Sequence, residues 1–126
     1  MNIPDIKILG PGLWTKIHMD ALNADDDKKK FVFIENINYL CENFFCYHCR
    51  SHFRDYLNNF PILNYWHIEN GFFRWSCDFH NNVNQRLGKE IVPYSIALSY
   101  YQNLKTETCT NCGTQHSVLK FKIVSK

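Results

Sequence analysis

Charge of one sign, long apolar runs and internal repeats are all missing from this chain, and each absence removes a class of function. With 14 Lys and Arg against 12 Asp and Glu, the formal net charge is only +2, too small to imply a nucleic-acid surface. The one basic cluster, Lys28-Lys29-Lys30, reads as a solvated helix face. No apolar run approaches the ~20 residues that a membrane span needs. The first residues show neither the basic n-region nor the apolar h-region of a cleaved export signal. Without such a signal, the six cysteines argue against a purely structural disulfide framework and for catalysis or metal binding.

A chain of 126 residues, 16% of them aromatic, is one domain with a single modest core built largely from rings. Its apolar spacing is helical. Residues 11 to 22 carry Trp14, Ile17, His18 and Ala21 on one stripe, with Pro11 and Gly12 at the start. After the capping run Asp25-Asp26-Asp27, a second helix repeats Phe33, Ile34, Ile37, Leu40, Cys41 and Phe44. A third, over residues 47 to 59, turns Phe53, Tyr56, Leu57 and Phe60 inward before Pro61. The fourth stops at Leu87 with Gly88 as its C′ residue, and Pro93 opens a fifth, shorter helix bearing Tyr94, Ala97, Leu98 and Tyr101. The expected fold is all-α: a four-helix bundle over residues 1–104 with a short fifth helix, then a cysteine-bearing tail over 105–126.

Two segments carry chemistry. Cys46-Tyr47-His48-Cys49 is a dithiol spaced to close a reducible bridge, placed where a helix N-terminus stabilises a thiolate. On the fourth helix Phe73, Cys77, His80, Asn84 and Leu87 share one stripe, so an imidazole and a carboxamide interrupt an apolar face. A buried polar group without a partner costs about 1–3 kcal/mol, so His80 and Asn84 need hydrogen bonds. A network inside the protein, for example His80 with His18, supplies them. With Trp14 as a flat surface, a planar heteroaromatic ligand supplies them equally. Periodicity does not choose between the two.

Gly12-Leu13-Trp14-Thr15-Lys16-Ile17-His18, the dithiol with His52-Phe53 after it, and Trp75-x-Cys77-x-x-His80-Asn81-x-Val83-Asn84-x-x-Leu87-Gly88-Lys89 together resemble the Erv/ALR family of FAD-dependent sulfhydryl oxidases. The resemblance spans roughly residues 10 to 101, in the family's order, and is most like the minimal viral members. It implies an enzyme that binds FAD, oxidises protein dithiols to disulfides and passes the electrons to molecular oxygen, giving hydrogen peroxide. It also implies a homodimer formed through the first helices. By position, Trp14 and His18 would lie along the flavin or adenine, and His80, Asn81, Val83 and Asn84 would line the pocket. Gly12, Phe53 and Leu87 would complete it, and Lys89 would meet phosphate or ribose. Cys49 would sit next to the flavin, and Cys46 would receive the attack of incoming thiols. Cys109 and Cys112 would form a second, shuttling pair.

The chain departs from the family at two places. The usual partner of Cys77 is replaced by Tyr94, leaving Cys77 and Cys41 as buried free thiols, and Asn23 with the acidic run stands where the family has Tyr-Pro. The main rival reading is a zinc module using Cys46, Cys49, Cys109 and Cys112; the oxidase reading needs no metal. A dithiol carrier without flavin is a third. The viral likeness implies host cytoplasm or the virion as its location, with the mitochondrial intermembrane space as the alternative.

Overall fold

A computed structural model describes residues 6–44 and 46–110, with side chains described within residues 12–107. Its elements are α1 (Ile6–Leu22), α2 (Asp27–Asn43), α3 (Tyr47–Asn59), a 3-10 turn (Ile62–Tyr65), α4 (Gly71–Arg86) and α5 (Tyr94–Thr110). No strand occurs among the described residues, as the all-α reading requires.

Local chemistry sets the boundaries. Asp26 is the N-cap of α2, its carboxylate accepting from the Lys29 N–H at 2.8 Å, and Asp27 complements the helix dipole. Cys46 is the N-cap of α3. Arg50, one turn into α3, donates to the Phe44 carbonyl at the end of α2 and ties the two helices at the dithiol. At the end of α4, Gly88 adopts φ +73°, the left-handed conformation expected of a C′ glycine.

Several expectations are corrected. Pro11 does not open α1, which starts at Ile6; proline is favoured at a helix start because it lacks an N–H, but here it costs one bond early in the helix instead. The fifth helix is not short: its 17 residues equal α1 and α2. The expected division after Leu104 falls inside it. Phe60, expected inside, is 47% exposed and lies with its ring 4.8 Å from Tyr56. Lys30 leaves the solvated face of its run, donating to the Trp66 carbonyl at 2.9 Å with its ammonium 4.9 Å from the indole centroid.

The core is aromatic, as the composition suggests. Phe73 and Trp75 on α4 are fully buried, and Phe33, Phe53, Tyr56, Phe72 and Phe79 surround them. The ring pairs fix the helix directions. Trp14 meets His80 while His18 meets Phe73, so α1 runs antiparallel to α4. Phe53 meets Phe79 while Tyr56 meets Trp75, so α3 is antiparallel to α4 as well. Phe33 near the start of α2 touches Phe72 near the start of α4. The four helices therefore alternate up and down. The start of α1, the end of α2, the start of α3 and the end of α4 share one end of the bundle. Cys46, Cys49, Gly12, Val83 and Leu87 all belong to that end.

Candidate active site

The dithiol is asymmetric. The Cys46 sulfur accepts the Cys49 backbone N–H at 3.3 Å, using one of the unpaired donors at the start of α3. The hydrogen bond from the Cys49 thiol holds Cys46 below its ordinary value, helped by the Cys49 and His48 backbone N–H groups and the Arg50 charge. Burial pushes Cys49 the other way, up to about 11, and the bond to Cys46 and its charge add to the rise while Arg86 opposes it. Cys46 is thus the readier thiolate and the better leaving group. Cys41 and Cys77 are buried free thiols, both raised chiefly by burial, Cys77 to about 12. They behave as small apolar residues.

The histidine pair lies between α1 and α4. His18 Nε2 is 2.9 Å from His80 Nδ1, and His18 Nδ1 is 2.8 Å from the Ser76 hydroxyl. Trp14 stacks on His80 at 3.9 Å with an interplanar angle of 5°. Burial, with His80 nearby, pushes His18 down to about 3. Burial, then the charge of Lys89, pushes His80 down to about 4. Both rings are neutral near pH 7.

The internal network anticipated from sequence is therefore present. Among the described residues no buried side-chain nitrogen or oxygen lacks a partner, and the rings of Trp14, His18 and His80 fill the space between α1 and α4 at their level. What stays open is the edge beyond them. Leu87, expected on the buried stripe, is 56% exposed. Trp14, His80, Asn81 and Val83 are half-buried, and a Cβ added at Gly12 would meet nothing within 4 Å.

The remaining predicted residues divide. Phe53 is buried, its ring 4.7 Å from Phe79. Asn81 clamps the α4–α5 loop, donating to the Val92 carbonyl at 2.8 Å and accepting its N–H at 3.0 Å. Buried Asn84 reaches the Asn81 oxygen at 3.4 Å, and its backbone carbonyl accepts the Lys89 N–H at 2.8 Å. The Lys89 side chain is exposed and close enough to His80 to depress it. Cys109 lies in the last turn of α5 with its side chain outside the described residues, and Cys112 is outside them altogether. Among the described residues no three His, Cys, Asp or Glu side chains gather to hold a metal.

Sequence reasoning missed Ser76, Tyr101 and Arg86. Ser76 stands three residues after Phe73 and four before His80, the spacing of one helix face, which was the available signal. Tyr101 covers His18 at 4.9 Å between ring centroids and bonds Thr15. A cavity of about 390 Å³ between α3 and α4, with His52, Asp55, Asn59 and Arg86 in its wall, includes neither sulfur of the dithiol and neither histidine of the pair. Chemistry, not volume, marks the site.

An up-down helical bundle that sets a polarised dithiol at the end where a neutral histidine pair and an open apolar edge converge is the framework of a thiol-redox domain. Residues 11–107 match the model of the Erv1 / Alr family, and the chain belongs to that family. It is 36% identical over 103 residues to an FAD-linked sulfhydryl oxidase of African swine fever virus, covering 77% of this chain and 84% of the relative. A probable FAD-linked sulfhydryl oxidase of Acanthamoeba polyphaga mimivirus is 27% identical over 100 residues, covering 74% and 68%. An Arabidopsis thaliana FAD-linked sulfhydryl oxidase is 33% identical over 112 residues, covering 84% and 57%.

Proposed function

We propose that this chain is an FAD-linked sulfhydryl oxidase that forms disulfides in protein dithiols and delivers the electrons to molecular oxygen, giving hydrogen peroxide. The observation that carries the reading is the dithiol at the start of α3, where the N-cap sulfur of Cys46 accepts the Cys49 N–H at 3.3 Å, at the end of the bundle that also holds the end of α4. Membership of the Erv1 / Alr family and the names of the viral and plant relatives support it.

The residues present fit the cofactor. At the end of the bundle that carries the dithiol, a Cβ at Gly12 would meet nothing within 4 Å, Val83 is half-buried and Leu87 is exposed. Trp14 and His80 offer a flat shelf with a neutral ring nitrogen. Lys89, beside His80, and Arg86, felt by Cys49, supply positive charge for a diphosphate at the end of α4. When bound, FAD supplies a two-electron acceptor for the reduced dithiol.

The protein's own part is thiol–disulfide exchange. A substrate thiolate attacks the Cys46 sulfur of the Cys46–Cys49 disulfide, forming a mixed disulfide and releasing Cys49 as thiolate. A second substrate thiolate then attacks the substrate sulfur of that mixed disulfide, and Cys46 leaves. The interactions that lower Cys46 favour this departure. Arg86 is the cation that offsets the cost of charge on Cys49.

Cys109 and Cys112 act in this reading as a relay to the core pair, in a homodimer joined through α1. No helix among the described residues is long and apolar enough to cross a membrane. The viral relatives favour host cytoplasm as the working compartment, with the mitochondrial intermembrane space, suggested by a mitochondrial relative in Schizosaccharomyces pombe, as the alternative.

Cys49→Ser tests the assignment. Oxygen uptake with dithiothreitol should fall to the rate without enzyme, in protein that still binds flavin. Retained turnover would remove Cys49 from its role.

A further inference from the structure

The polar chain beneath the shelf has a fixed direction. The Phe73 carbonyl can only accept, and the Ser76 hydroxyl lies 2.6 Å from it, so the single hydroxyl proton is committed there. His18 Nδ1, 2.8 Å from the same oxygen, must then be the donor. His18 is 2% exposed and is surrounded by Trp14, Phe73, His80, Tyr101 and Ser76, none of them anionic, so nothing supports a charged ring. A neutral His18 that donates from Nδ1 presents a lone pair at Nε2, and His80 Nδ1, 2.9 Å away, must donate to it. A neutral His80 is then left with its lone pair on Nε2. Trp14 stacks on that ring, and His80 is half-buried.

We propose that Ser76 is a positioning residue: acting through His18, it locks His80 in the Nδ1–H tautomer, so that Nε2 presents an obligatory acceptor that selects a ligand ring carrying an N–H donor. The inference rests on the flavin reading for the ligand's identity, since both the adenine amino group and the isoalloxazine imide are such donors. The tautomer relay itself stands on the ligand-free protein.

Nitrogen-15 NMR of the imidazole rings tests the relay without any ligand. Wild-type protein should show protonated Nδ1 and unprotonated Nε2 on both His18 and His80; an Nε2–H on either would overturn the relay. Ser76→Ala removes the acceptor of His18 and should return a detectable Nε2–H population to both rings, while unchanged tautomers would again overturn it. Titrations of wild type and Ser76→Ala with FAD, ADP and riboflavin 5′-phosphate then locate the donor. The dissociation constant for FAD should rise about 10-fold in the variant, the equivalent of one lost hydrogen bond. The same weakening should appear with ADP if the adenine carries the donor, or with riboflavin phosphate if the isoalloxazine does. Equal affinities of the two proteins for all three would overturn the selection role. A wild-type protein that binds none of the three overturns the flavin reading and the selection with it, and the ligand-free tautomers judge the relay separately.

Discussion

Burial does opposite work on the two kinds of titratable group at this end of the bundle, and the contrast explains how an apolar site handles thiols at neutral pH. Cys49 is pushed up to about 11 and so resists staying charged, whereas Cys46, at the helix start, is held down. His18 and His80, pushed down to about 3 and about 4, stay neutral and bring no positive charge to the shelf. That neutrality has a thermodynamic cost that acid exposes. Between pH 4 and the ordinary histidine value of 6.5, the unfolded chain binds protons that the folded chain refuses. Stability is therefore complete above 6.5 and falls as pH is lowered, by up to about 1.4 kcal/mol per pH unit for each histidine. Urea midpoints measured from pH 7 to pH 5 should drop accordingly, and more steeply in wild type than in His18→Gln. A wild-type midpoint that does not move over this range would contradict the burial of the pair.

Among the elements, α4 carries both the chemistry and the architecture, and its two ends are separable. At its first residue, a Cβ on Gly71 would run into the Tyr65 carbonyl oxygen and crowd the Ile68 side chain at 3.1 Å. Gly71→Ala should cost about 2 kcal/mol or more, because the 3-10 turn must move. The dithiol and histidine pair lie toward the other end, so the affinity of the folded variant for FAD should match wild type. An unchanged urea midpoint would contradict the close approach at Gly71. Most of these elements were legible in the sequence because their signals are local. Asp26 caps α2, apolar spacing marks α2 to α4, and Gly88 terminates α4. Two boundaries were not. Pro11 is read as a helix start because that is where proline is cheapest, yet α1 begins at Ile6. The tail is expected to begin at residue 105, yet α5 continues to Thr110, with Tyr101 and Leu104 in the core. Nor could periodicity alone show that His80 would meet His18 rather than a ligand, because that pairing depends on the antiparallel register of α1 and α4.

For the whole molecule, alternation of helix direction is the decisive fact. It brings residues 12, 49, 83 and 87, distant in the chain, to one end, while the start of α2 meets the start of α4 at the other through Phe33 and Phe72. The dithiol and histidine segments were recognisable in sequence; their convergence, and the edge left open beside Gly12 and Leu87, required the packed bundle. We propose that this edge holds a flavin in electronic contact with the dithiol. Visible absorbance of the purified protein, followed under anaerobic dithiothreitol and then after readmission of air, tests it most directly. The protein should be yellow, bleach without oxygen and recover its colour with it. A colourless protein, or a yellow one that dithiothreitol leaves unbleached, would contradict it.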